Sequence, residues 1–145
     1  MRMVTTRRRE KPPRPEQIPK NKSTMYKTID QMRAYHLAMS LGEQIWHLTQ
    51  EWSYFAKDTV GKQIVRCTDS IAANIAESHG RHFKRERKQF LIYARGSGIE
   101  TLCFIQKCEQ RKLISPATAE SMRKDLAAIN YEINKQRKHL DSLRE

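Results

Sequence analysis

The residues best suited to binding chemistry fall into two runs. The first is Gln63, Arg66, Ser70, Asn74, Glu77 and Arg81, spaced by three, four, four, three and four positions. On a helix that spacing makes one continuous polar line. Short hydrogen-bonding side chains such as Gln, Ser and Asn suit contact with another helix, where each donor needs an acceptor. Glu100, three positions after Ser97, is a candidate partner for Arg66 or Arg81. The row is thus expected to be a subunit interface or a polar seam inside a bundle. A solvated helix face is the plainer alternative. The second run is His79-Gly-Arg-His-Phe-Lys-Arg-Glu-Arg-Lys88, with Arg95 beyond it. It sets Arg81, Lys84, Arg85, Arg87 and Lys88 around the start of a helix, where the macrodipole disfavours cations. Phosphate neutralisation is the simplest use for charge held there, and Lys84, Arg87 or Lys88, and Arg95 can share a face.

Groups for catalysis or metal binding do not assemble in the same way. There is no phosphate-cradling Gly-rich loop, nucleophile elbow or Cys-pair zinc spacing. His79 and His82 are three apart, but Gly80 separates them and no third ligand is near in sequence. A ribonuclease would need one of these two as general base. Cys103 and Cys108 are five apart, which puts them on different helix faces. They read as small apolar residues. No enzymatic activity, catalytic residue, metal or cofactor is expected.

Four helices must position these runs. The first is predicted over about 30–52, with Met32, Tyr35, Ala38, Leu41, Ile45, Leu48 and Trp52 on one face. Gly42 inside it points to close packing. The second is predicted to open at Asp58 as N-cap and stop at Gly80, with Val60, Ile64, Cys67, Ile71 and Ile75 inward. The third runs from about His82 to Leu113. Phe83, Phe90, Tyr93, Ala94, Ser97, Leu102, Ile105 and Cys108 mark its inward side, and Gly96 and Gly98 indicate a tight contact or a kink. The fourth opens at Ser115-Pro116 and carries Ala119, Met122, Leu126, Ile129, Ile133, Gln136, Leu140 and Leu143. The expected fold is an all-α, up-down-up-down four-helix bundle over 28–145. It is preceded at 1–27 by an extended or disordered basic arm rich in Pro and Arg.

Composition agrees with that division. The chain has 145 residues, with 28 Lys and Arg against 16 Asp and Glu, for a net charge of +12. Residues 1–24 hold eight Lys/Arg, including Arg7, Arg8 and Arg9, against two acids. Residues 79–95 hold six against one. Charge so concentrated points to a polyanion, bound through its backbone with a steep salt dependence. Three cysteines give no paired framework, so a reducing, cytoplasmic setting is expected. No apolar run is long enough to cross a membrane.

Ser70-Ile-Ala-Ala-Asn-Ile-Ala-Glu77, Gly80-Arg81 and Ala94-Arg-Gly-Ser97 with Glu100 resemble the signature of a family of bacterial four-helix-bundle proteins. Leu48-Thr49, Gln63, Arg66, Phe90-Leu91 and Leu113-Ile114-Ser115 add to it, and the resemblance spans about 29–143. The family includes proteins encoded in intervening sequences of large-subunit ribosomal RNA genes. It also includes the accessory variability determinants of diversity-generating retroelements. The resemblance implies a non-enzymatic protomer assembled as a ring-like homopentamer. For the retroelement members it also implies binding of RNA or cDNA and association with a reverse transcriptase. It gives the row 63–81, Ser97 and Glu100 structural or interfacial roles. Ser78 stands where the family usually has Gly, Thr68 and Asp69 where it has small apolar residues, and Trp52-Ser53 where an aromatic-Pro pair is common. The arm at 1–24 lies outside the resemblance, and its charge moves weight toward the retroelement role. The alternative is an intervening-sequence protein acting as a protein-interaction scaffold without nucleic acid.

Overall fold

The computed structural model describes residues 32–144. Within them the chain forms four helices: α1 (Arg33–Gln50), α2 (Lys62–Gly80), α3 (Lys84–Gln110) and α4 (Pro116–Ser142). They pack antiparallel. Each lies against its neighbours in the chain, and α4 closes the bundle on α1. The 27 residues of α3 and of α4 span about 40 Å each.

The core is built from inward stripes at three- and four-residue spacing. Ala34, Ala38, Leu41 and Ile45 come from α1, Ile64, Ile71 and Ile75 from α2, and Met122, Ile129 and Ile133 from α4. Ser115 caps α4: its Oγ accepts from the Thr118 N–H at 3.1 Å, and Pro116 follows in the first turn. Gly42 sits under α2, where a Cβ would come 2.9 Å from Asp69 Oδ1.

Three expectations are corrected. The helix leading into α2 does not open at Asp58. Ser53 Oγ accepts from the Ala56 N–H at 3.3 Å, and a helical turn at Tyr54–Ala56 continues through a π-helical segment, Lys57–Gly61, straight into α2. The wide turn holds one more residue than α-geometry allows, with Lys62 N–H bonded to Lys57 O. Phe83, just ahead of α3, and Tyr93 and Leu102 on it are exposed. Leu91, Ala94, Thr101, Ile105 and Cys108 face inward. This helix is apolar on two sides, so periodicity alone mixed them. Finally, α3 is uninterrupted through Gly96 and Gly98. A Cβ on Gly96 would meet nothing within 4 Å, and one on Gly98 only Ile71 Cδ1 at 4.0 Å. The glycines therefore mark neither a kink nor a tight contact among the described residues. α2 does stop at Gly80, but without left-handed geometry; among the described residues the left-handed one is Lys112, past the end of α3.

Candidate nucleic-acid interface and polar seam

The polar row of α2 meets α3. Arg66 Nη2 pairs with Glu100 Oε1 at 2.6 Å and also donates to Gln63 Oε1 at 3.2 Å. Ser97 Oγ donates to Ser70 Oγ at 3.1 Å, and Asn74 Nδ2 reaches Ser70 Oγ at 3.0 Å. Beneath them Thr68 and Thr101 are fully buried. Their hydroxyls donate to Ile64 O and Ser97 O at 2.7 and 2.8 Å, which satisfies both inside their own helices. Glu77 turns to Arg81 at 2.6 Å. The row is therefore a hydrogen-bonded seam between α2 and α3, open to solvent at Arg66 and Glu77. Sequence reading did not single out Thr68 or Thr101 for this seam. Their place on the buried edge of the same row, at i−2 to Ser70 and i+4 to Ser97, was the available signal.

The basic run divides in two. Arg81, bonded to Glu77, also stacks its guanidinium 4.7 Å from the Phe90 ring. Lys84 donates to Leu143 O at 3.1 Å, and Lys88 pairs closely with Asp141. That bond, with cations around it, holds the Asp141 carboxyl below the usual range. These three cations tie α3 to α2 and α4. Arg85 and Arg95 are exposed, and their side chains have no ion pair or hydrogen bond among the described residues. Arg87 is half-buried, and its backbone carbonyl accepts from Ser78 Oγ at 2.7 Å. Arg95 stands apart, beside an apolar groove between α3 and α4. Arg7, Arg8 and Arg9 lie outside the described residues.

Antiparallel packing adds charge that the sequence does not show as a cluster. The start of α1, the α2–α3 junction and the end of α4 meet at one end of the bundle. Residues 33, 77–88 and 132–144 together hold ten Lys/Arg against four carboxylates. The opposite end, 47–63 and 107–124, holds seven against four. A groove of about 740 Å³ crosses the more basic end, lined by Lys84, Arg85, Arg87 and Arg144 with His82, and by one carboxylate, Glu86. The first turn of α3 borders it with no side-chain cap, so free backbone N–H groups add to the donors there.

Two of the three thiols are shielded by placement: Cys67 and Cys108 are buried, and burial pushes the Cys108 thiol up to about 11, whereas Cys103 is exposed. Among the described residues no three His, Cys, Asp or Glu side chains converge as metal ligands, and no helix is long and apolar enough to cross a membrane.

Four antiparallel helices with a polar α2–α3 seam and one cationic end define a small helical-bundle protein. The family model for the 23S rRNA-intervening sequence protein matches residues 30–135, and the chain belongs to that family. The fold is also that of a crystal structure of a protein of unknown function from the S23 ribosomal protein family of Bacteroides thetaiotaomicron. The TM-score is 0.65 at 22% identity, over 72% of this chain and 98% of that one. No curated protein matches the chain.

Proposed function

We propose that the protein is a non-enzymatic, cytoplasmic nucleic-acid-binding protein that works as a homo-oligomer and holds RNA, or an RNA–cDNA intermediate, at its basic end. The observation that carries this reading is the meeting of ten Lys/Arg with four carboxylates where α1, α2, α3 and α4 come together. The groove between Arg85 and Arg144 runs through it. Neither arginine is paired among the described residues, so phosphate contact would not require breaking an ion pair. Self-association is supported by an exposed apolar row on α3, with Ile92 and Ile99 flanking Gly96. The adjoining α3–α4 groove contains Asn130, whose amide oxygen is buried without a donor among the described residues. Five subunits, as the resemblance implies, would repeat the basic end around one axis. The finer role, docking a reverse transcriptase, is supported by the eight Lys/Arg in residues 1–24, outside the family match.

Replacing Arg85 and Arg144 with Gln tests the nucleic-acid reading. Fluorescence anisotropy with a single-stranded RNA should show weaker binding. The slope of log K against log salt should flatten by about 1.4, from two lost phosphate contacts at about 0.7 each. An unchanged affinity and slope would overturn the assignment. Mass spectrometry of the tagged full chain recovered from its own cells tests the finer role, with a reverse transcriptase as the expected companion.

A further inference from the structure

A second cavity, of about 430 Å³, lies against the cationic groove, between the last turns of α2 and α4 and the first turns of α3. Nitrogen side chains line it from three helices: His79 from α2, Arg87 from α3, and Lys135, Gln136 and His139 from α4. Its one carboxylate, Glu132, is already met by Arg33 Nε at 3.5 Å and Lys135 Nζ at 3.6 Å. Arg87 Nε is buried and has no acceptor among the described residues. Buried donors are nearly always satisfied, so this one calls for an acceptor from outside the described residues. Burial and the neighbouring Arg87 hold His79 below its ordinary range. It is then neutral near pH 7 and offers a ring N–H. Arg87 and Leu140 line both this cavity and the outer groove, so the two spaces share a wall at these two residues.

We propose that this cavity receives the terminal phosphate of a nucleic-acid strand whose backbone lies in the outer groove. A phosphate monoester carries about −1.5 to −2 charge at pH 7 and three strong acceptor oxygens. An internal phosphodiester carries a single charge and is flanked by sugars on both sides. A recess with one guanidinium, an ammonium, two imidazoles and an amide matches the terminal group better. The planar fork of Arg87 suits bidentate binding of phosphate oxygens. The inference rests on the nucleic-acid reading above, and one experiment separates the two.

The affinity of the full chain is measured for a short single-stranded RNA prepared with hydroxyl ends, with a 5′-phosphate, or with a 3′-phosphate. At least one phosphorylated strand should bind roughly tenfold tighter than the hydroxyl-ended strand, which corresponds to about 1.4 kcal/mol. Arg87→Gln should erase that preference, while Arg85→Gln should weaken all three strands alike. The Arg87 change leaves the Ser78–Arg87 backbone bond in place, and circular dichroism checks the fold. Adenosine monophosphate serves as the probe without a strand: it should shift the ring signals of His79 and His139, and adenosine should not. Strands that bind within twofold of one another, with no shift from the monophosphate, would overturn this inference and leave the nucleic-acid reading standing. Monophosphate shifts without binding of the hydroxyl-ended strand would support the cavity and overturn the broader reading.

Discussion

Replacing Gly96 with Ala separates the energetics of the protomer from those of its surface. Gly96 is exposed in the interior of α3 at an ordinary helical φ. A methyl group there meets nothing within 4 Å. The substitution therefore adds neither a clash nor much burial, and the remaining term is the backbone entropy that glycine loses on entering a helix. That is about 0.8–1.0 kcal/mol in favour of Ala. For a bundle of this size it raises Tm by about 4 °C. Thermal unfolding followed at 222 nm in dilute protein is the assay. A lower Tm under those conditions would refute the reasoning, because no contact within the protomer opposes the methyl. Repeating the melt at a hundredfold higher concentration reads the surface. Gly96 lies between Ile92 and Ile99, which are 42% and 60% exposed. If a second copy covers that row, the methyl enters a helix contact that glycine left open. The stability gain should then shrink as concentration rises, with a fall in mass by light scattering.

The same substitution at Gly61 should have the opposite sign. Its Cβ would lie 3.1 Å from Ala56 O, a carbonyl fixed inside the π-helical turn, and Tm should fall by about 4 °C, for a loss near 1 kcal/mol once crowding outweighs helix propensity. Asp69→Asn should stabilise the protein at pH 7. Partial desolvation and the neighbouring Glu43 raise the Asp69 carboxyl above its ordinary range, so the folded state holds that proton more tightly than the unfolded chain. The cost is therefore present where Asp69 is ionised and fades as pH falls through its raised value. The advantage of the variant, below about 1 kcal/mol at this exposed position, should fade over the same interval. Urea midpoints measured from pH 7 down to pH 4 check it.

Much of the fold was legible because it rests on local rules. Ser115-Pro116 announces α4, and the spacing of Ile64, Cys67, Ile71 and Ile75 gives the buried face of α2 without reference to any other helix. The start of that helix was not legible. Asp58 and Ser53 are both good caps, and a turn held by i→i+5 bonds leaves no mark in residue type. The inward face of α3 was blurred for a physical reason. Leu91 and Ile105 serve the core while Ile92 and Ile99 face out, so two apolar stripes overlap in one periodic pattern. At the candidate site, the cations of 79–95 stood out as a run. Those of Lys135, Arg137, Lys138 and Arg144 did not, because they join the others only when α4 returns antiparallel to the start of α3. Nor could a charge count separate Lys88, held by Asp141, from Arg85, which is unpaired among the described residues.

The wide turn at Lys57–Gly61 also bears on how this chain tolerates changes in length. In an ordinary helix, losing one residue rotates everything beyond it by about 100° and swings the buried stripe away from the core. Here the surplus residue is already looped out between Ala56 and Lys62. Removing Asp58 would let the turn relax to α-geometry while Ala56 on one side and Ile64 on the other kept their inward phase. The segment is thus a slack point in the chain, where a deletion that would unseat any other part of α2 can be absorbed within a single turn.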